Sequence, residues 1–407
     1  MDLLHSSCAG LDVHKDTVVA CSRVAVGGRV DACVRTFATT TRELLALSDW
    51  LIERGCTLVG MEATGVYWKP VWHVLEGAFE LVLANAQHVR NVPGRKTDVN
   101  DAQWLADLVA HGLVRSSFVP PEPVQEMREL TRARKQLVRE AGQHVQRIQK
   151  TLEDANIKLT GTISDVLGKG GRAIVEALIA GHTDPRYLAT LAPRVKAAPE
   201  QLAEALRGTV RPHHQFLLQL HLGQFDAAQA AIASIDERLG GVMEPFRVAA
   251  ERLTTIPGVR DTTANIIVAE IGIDMSRFPS QRHLVSWAGL CPRNDESAGK
   301  RRSTRLRHGD PWLKTALVQA AWAAARTKGT YFHAQFLRIK SRRGVKKAVV
   351  AVAASMLTAI YFMLRDGADY RDLGPNYFET RNTDKTARRL IKRLTDLGFR
   401  VAIQSPA

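Results

Sequence analysis

The sequence predicts an α/β domain first, a long helical segment next, and a mainly helical domain at the end. Three observations carry this prediction. Short β-branched runs alternate with helix-like stretches over residues 7 to 108. Two stripes of apolar residues at three- and four-residue spacing follow, from Met127 to Leu152 and from Leu218 to Leu239. Beyond them, small-residue helical patterns continue to residue 364. The chain has 407 residues, 45% hydrophobic and 24% charged, enough for two or three domains with real cores.

The elements can be justified in order. "CAGLDVH", "TVVACSRVAV" and "ACVRTFATT" read as strands, separated by turn-like residues such as Gly27-Gly28. Residues 42 to 54 read as a helix, "TLVGMEAT" as a buried strand, and a second helix starts near Tyr67. "FELVLAN" is another strand, and "KTDVNDAQWLADL", residues 96 to 108, runs into a helix. Three strands, then alternating helix and strand, is the order expected of a ribonuclease-H-like α/β domain. "FVPPEPV", residues 118 to 124, is a Pro-rich boundary.

The first stripe comprises Met127, Leu130, Leu137, Ala141, Val145, Ile148 and Leu152, interrupted by Arg134. The second comprises Leu218, Phe225, Ala228, Ile232, Ile235 and Leu239. Such a pair makes either an antiparallel hairpin within one chain or a dimerising coiled coil, and the spacing leaves both open. Residues 160 to 210 are rich in Ala, Gly and Pro and carry no functional signal. "LTTIPGVRDTTANIIVAEIG", residues 253 to 272, resembles a helix-hairpin-helix. Backbone N–H groups around Gly258 could bind a phosphate there, unless the turn is an ordinary connection. "AVVAVAASMLTAIYFML", residues 348 to 364, falls a little short of the ~20 residues of a membrane span and reads as a buried core helix. The expected domains are 1–120, 121–250 and 251–366, with a tail at 367–407.

The formal net charge is +15, which points to a polyanionic partner, usually nucleic acid. It is unevenly placed. Residues 1 to 100 are close to neutral, whereas from Lys300 to Lys347 Asp310 is the lone acid. The five cysteines include no CxxC pair, which argues against a disulfide framework and a zinc site and fits a reducing cytosol. The N-terminus lacks a signal-peptide pattern, so a cytoplasmic protein with no membrane partner is expected.

Four acids stand out. Asp12 lies in the middle of the first predicted strand, and Glu62 ends an apolar strand. An acid in either place is costly unless paired or metal-bound. Asp98 and Asp101 are three residues apart, a spacing that predicts one helical face. If the fold brings all four together, divalent cations would relieve their repulsion, and two Mg²⁺ ions would form the usual clamp for phosphodiester chemistry. Singly, each acid has a plainer reading as a cap or a solvated side chain.

"GLDVHKDT", "MEATGVYW" and "GRKTDVNDAQWLADL" resemble, in that order, the motifs of transposases of the insertion-sequence 110/1111 family. The resemblance continues through "IPGVRDTTANIIVAEIG" and "FPSQRHLVSWAGLCPRNDESAGKRRSTRLRHGDPWLK" to the Ala-rich helix. It implies a RuvC-like domain with an Asp-Glu-Asp-Asp site, here Asp12, Glu62, Asp98 and Asp101, binding Mg²⁺ with Mn²⁺ as a substitute. It implies a serine nucleophile in an S-x-G motif, here Ser297, forming a transient 5′-phosphoserine with DNA. It further implies a structured guide (bridge) RNA, donor and target double-stranded DNA, and assembly as a dimer to tetramer. Lys300, Arg301, Arg302, Arg305 and Arg307 would hold nucleic acid beside the serine, ahead of a helix capped by Asp310. Two other readings compete: a metal-dependent nuclease that uses water, and a non-catalytic nucleic-acid scaffold.

Overall fold

The first three strands form an antiparallel meander: β1 (Ser7–Val13), β2 (Thr17–Val26) and β3 (Arg29–Ala38). The chain then crosses over through α1 (Thr41–Glu53) to β4 (Leu58–Glu62), which pairs parallel with β1. Helix α2 (Trp68–Leu75) leads to β5 (Glu80–Ala84), parallel to β4. The result is a mixed five-stranded sheet of order β3-β2-β1-β4-β5. In this computed structural model the described residues are 3–27, 29–63, 65–85, 89, 100–292, 295–297, 299–303, 305–381 and 383–402.

The pleat sorts the side chains. Ala9, Leu11 and Val13 of β1, with Val59 and Met61 of β4, pack under α1 and α2 against Leu44, Leu47, Trp50 and Val71. Cys8 and Leu58 face the other way, toward α3 (Asp101–Ala110). Both strands are therefore covered on both faces, which is why they read as near-continuous apolar runs. Burial pushes the Cys21 thiol up to about 11, so it is an inert core group.

The chain divides into two units, Met1–Val119 and Pro120–Ala407. The second begins with α4 (Glu122–Asp154), and Pro at its second position suits a helix start. Its partner is α9 (Pro212–Val242). Arg238 pairs with Glu126 and Arg134 with Asp236 near one end, while His214 meets Asp154 at 3.2 Å at the other. The two helices thus run antiparallel as a hairpin within one chain. Residues 160 to 210 form its cap: α5 (Leu159–Thr162), α6 (Lys169–Ile179), α7 (Pro185–Thr190) and α8 (Pro199–Ala205). Their Ile174, Leu178, Leu188 and Leu202 share a core with Ile148, Leu152 and Leu218 of the hairpin.

The remainder comprises α10 (Arg247–Thr254), α11 (Asp261–Ile271), α12 (Gln281–Trp287), strands β6 (Asp295–Ser297) and β7 (Lys300–Ser303), α13 (Pro311–Ala324), α14 (Tyr331–Arg343) and α15 (Val345–Asp366). Helix α15 is long and apolar enough to cross a membrane, but it buries Ala348, Val352, Met356 and Ile360 among its neighbours. It is a core helix. Two short helices, α16 (Tyr377–Thr380) and α17 (Thr383–Asp396), end the described chain, and Phe378 stacks on Tyr331.

Candidate active site

Asp12 and Glu62 occupy equivalent places on neighbouring parallel strands. The register pairs Gly10 with Gly60 and Leu11 with Met61, so the next residues, Asp12 and Glu62, stand side by side at the strand ends. Asp12 is the next-to-last residue of β1 rather than its middle, so it sits near the end of the sheet's central strand, where solvent and ligands have access. By the two-residue pleat, both acids share the sheet face of Gly10 and Gly60.

That face belongs to α3, and glycine lets the helix come close. A Cβ on Gly10 would lie 2.3 Å from the Ala102 carbonyl oxygen and 2.4 Å from the Ala106 nitrogen. A Cβ on Gly60 would lie 2.5 Å from a Val109 methyl. Helix α3 runs antiparallel to β1. Its first turn is over Gly10, while the Ala110 carbonyl accepts from the N–H groups of Leu4 and His5, ahead of the strand. Arg23 of β2, with its side chain nearly buried, fixes this placement by donating to Asp107 at 2.8 Å. The first residue of α3, Asp101, therefore lies at the same end of the sheet as Asp12 and Glu62, and it is exposed.

The i, i+3 reasoning for Asp98 needs correction. Asn100 is the N-cap, its side chain accepting from the Ala102 N–H at 2.9 Å, and its ψ of 144° ends the helix there. The helix does not extend back through Asn100, and Asp98 lies outside the described residues. His14, overlooked in the sequence, stands 3.2 Å from an Asp12 oxygen. A His two residues past a strand-end acid was the available signal.

Asp12, Glu62 and Asp101 share one end of the sheet, and carboxylate oxygens are hard donors, the kind that a divalent cation such as Mg²⁺ takes rather than a thiophilic metal. A second cluster is a poorer metal site. Asp154, His213 and His214 have ligand atoms within 4.8 Å of one another. However, the Arg211 N–H donates to His214 Nδ1, so the ring proton sits on Nε2 and is donated to Asp154. A metal at Nε2 would have to displace that proton and leave Nδ1 opposing an N–H donor.

The S-x-G segment lies in a β-hairpin of β6 and β7. Ser297 pairs with Lys300 across a two-residue connection, in which Gly299 takes φ +71°. The hairpin's base is pinned by backbone. Pro292 bridges Leu306, the Arg307 N–H donates to the Cys291 carbonyl at 3.2 Å, and the Asp310 N–H to that of Trp287 at 3.3 Å. Gly309 approaches Gly289 so closely that a Cβ would meet backbone at 2.2 Å. Lys300, Arg305 and Arg307 are exposed. Arg301 and Arg302 belong to β7. Asp310 caps α13 as its sequence predicts, accepting from the Trp312 and Leu313 N–H groups at 2.8 and 2.7 Å.

Gly258 has a packing role that its motif did not reveal. With φ +88°, it lies against α13, where a Cβ would meet the Ala320 carbonyl oxygen at 2.4 Å. Sequence reading also missed Glu270, which is wholly buried in α11. Arg132 of α4 grips its two oxygens at 2.8 and 2.7 Å and also reaches Asp310 at 2.9 Å. Arg128 adds a contact at 3.1 Å. Burial pushes the Glu270 carboxyl up, and hydrogen bonds from Arg132 oppose this. An acid inside the apolar run "IIVAEIG" was the signal, the same one that marked Asp12 and Glu62.

Two family models match the chain, the first running past the boundary between the two units. Residues 9–157 match a DEDD-type transposase model, and residues 250–337 match the transposase model of the IS116/IS110/IS902 family. Together they place the chain among the transposases. Its relatives include a protein of insertion element IS110 from Streptomyces coelicolor, 32% identical over 127 residues, which are 30% of each chain. A transposase for insertion sequence element IS1328 from Yersinia enterocolitica is 26% identical over 286 residues, 68% of this chain and 73% of the relative. A pilin gene-inverting protein from Moraxella bovis is 30% identical over 124 residues, 30% of this chain and 38% of its own. The match thus spans less than two thirds of the first and third relatives' lengths. The chain belongs to the IS110 transposase family.

Proposed function

We propose that the chain is an RNA-guided DNA transposase or recombinase that cuts and rejoins DNA through a transient 5′-phosphoserine at Ser297. One observation carries the reading: Asp12, Glu62 and Asp101 come to one end of one sheet face in a chain of this family. The order of strands and helices is consistent with a ribonuclease-H-like domain, in which such acids would serve phosphodiester chemistry. Asp12, Glu62, Asp98 and Asp101 would hold the divalent cation, Mg²⁺ or Mn²⁺. Such a cation, when bound, neutralises charge on the phosphate and on the attacking and leaving oxygens.

The remaining work falls to this chain's own residues. The Ser297 hydroxyl attacks phosphorus; its Oγ–P bond forms as the P–O3′ bond breaks. The serine proton is released, and the departing 3′ oxygen takes one up. The ester conserves the phosphodiester's energy, so a second 3′ hydroxyl can reverse the step and seal a new joint. Lys300, Arg301, Arg302, Arg305 and Arg307 hold backbone phosphates beside the serine. A structured guide RNA selects donor and target duplexes, and a dimer to tetramer working in the bacterial cytosol assembles the full set of residues.

The test is a recombination assay with Mg²⁺. Asp12→Asn, Glu62→Gln and Asp101→Asn should each abolish product while leaving thermal melting unchanged. Full activity in the Asp12→Asn protein would remove the metal role.

A further inference from the structure

A recess of about 410 Å³, apolar over much of its wall but with charged and polar groups among its lining, opens within the second unit, where α4 and α9 meet α11 and α13. Its wall carries two cations, Lys135 and Arg139, with the carboxylates of Glu270 and Asp310 acting on Lys135 from beyond ion-pair distance. Lys135 and Arg139 are four residues apart on α4, so they share a helical face and repel. Both lie over the ring of Trp312, at 5.3 and 5.5 Å from its centre. Their neighbours are satisfied: Arg132 is held by Glu270 and Asp310, and Arg134 by Asp236. Among the described residues, neither Lys135 nor Arg139 forms a salt bridge. Burial, with the charge of Arg139 beside it, holds the Lys135 amine below the usual lysine range.

Two crowded cations facing a cavity are costly until an anion joins them. The recess supplies what a phosphate needs besides charge. Thr262 and Asn265 come from the first turns of α11, whose N-cap residue makes no side-chain cap bond, and Gln319 comes from α13. These are neutral polar groups near a helix N-terminus, whose pull on an anion is offset by Asp261 in its first turn, so the attraction falls to Lys135 and Arg139. The volume exceeds that of a bare phosphate and leaves room for a sugar.

We propose that this recess grips a backbone phosphodiester of bound nucleic acid, with Lys135 and Arg139 as its cationic jaws. The proposal rests on the nucleic-acid reading above and adds a contact remote from the Ser297 hairpin in sequence. An acidic peptide fits less well, because the surrounding excess of Lys and Arg would compete for it without selecting it.

The test uses the full chain and the salt dependence of binding to a labelled 30-base-pair duplex and to a labelled single-stranded RNA. In the Lys135→Gln/Arg139→Gln variant, the slope of log K against log salt should fall by about 0.9 for the duplex, the contribution of one neutralised phosphate, with a smaller drop of about 0.7 for the single strand. The Lys135→Arg/Arg139→Lys variant should keep the wild-type slope, which separates charge from folding. Lys196→Gln, an exposed lysine of the cap region, should change nothing. A double variant with wild-type slope and affinity for both probes would overturn the proposal while leaving the nucleic-acid reading intact. Wild-type protein that binds neither probe would bring down both. Inorganic phosphate that raises the melting temperature of the wild type alone, with slopes unchanged, would make this a free-phosphate site and overturn the nucleic-acid assignment.

Discussion

The two units place their charged groups by different means. In the first, acids are presented by backbone contact: Gly10 and Gly60 let α3 settle on the sheet, and its first residue arrives beside Asp12 and Glu62. In the second, charge itself makes the joint, with Glu270 buried between Arg128 and Arg132 and the cap of α13 drawn in through Asp310. A contact set by missing side chains tolerates no added atom. A contact set by buried ions tolerates no missing partner. The difference predicts opposite sensitivities, which substitution can break or sharpen.

The largest effect on stability should come from Glu270→Ala, which leaves two arginines without their buried partner. The second unit should lose about 3–5 kcal/mol, read from its denaturant-unfolding transition. A Glu270→Leu/Arg128→Met double substitution should recover part of this, because it removes the more buried arginine together with its partner, while Arg132 keeps Asp310. A double variant as unstable as Glu270→Ala would mean that packing, not charge, holds the joint.

Next comes Gly10→Ala. The new Cβ meets backbone atoms that cannot swing aside, so the cost should reach the upper part of the ~1–3 kcal/mol range for overpacking. Gly60→Ala meets a Val109 methyl and should cost less. Recombination should fall further in Gly10→Ala than in Gly60→Ala at a temperature where both remain folded, since Gly10 sits under the turn that carries Asp101. Equal loss in the two would contradict this account of the site's placement.

The smallest effect concerns an exposed pair. Arg172 of α6 holds both oxygens of Asp226 on α9, at 2.6 and 2.8 Å, and keeps that carboxyl below the usual carboxylate range. A lowered folded-state value stabilises the fold above the unfolded pKa. That contribution is lost as the pH falls through the lowered value. Both side chains are more than a third exposed or nearly so, so solvent limits the effect to about 0.2–1 kcal/mol. Melting curves of wild type and Arg172→Met should differ slightly at neutral pH and converge on acidification. A difference that widens in acid would contradict the pairing.

Much of the first unit was legible in sequence, because strands buried on both faces read as apolar runs and an acid within such a run is conspicuous. Asp12 and Glu62 were found that way. The start of α3 was not, because Asp98, Asn100 and Asp101 can all cap or open a helix, and only the structure assigns the cap to Asn100. The second unit was harder. Apolar stripes cannot tell a hairpin from a dimer; the pairs Arg134–Asp236 and Arg238–Glu126 fix the answer, and they are about a hundred residues apart. The Ser297 hairpin has no alternating pattern, since contacts at its base, such as Gly289 with Gly309, hold it in shape. The cap at 160–210 is built from short helices whose core residues are individually unremarkable in sequence.

The central claim is that Ser297 carries the DNA during strand exchange. The most direct measurement is a denaturing gel of full-length protein incubated with Mg²⁺, guide RNA and DNA labelled on the 3′ side of the cut, in the fragment that keeps the 5′ phosphate. Wild-type protein should carry label covalently. Ser303→Ala, which removes only the hydroxyl that accepts from the Arg305 N–H, should carry it too. Ser297→Ala should bind nucleic acid but form neither adduct nor recombinant product. Cleavage by Ser297→Ala at the wild-type rate, with no adduct in either protein, would contradict the account and make water the nucleophile.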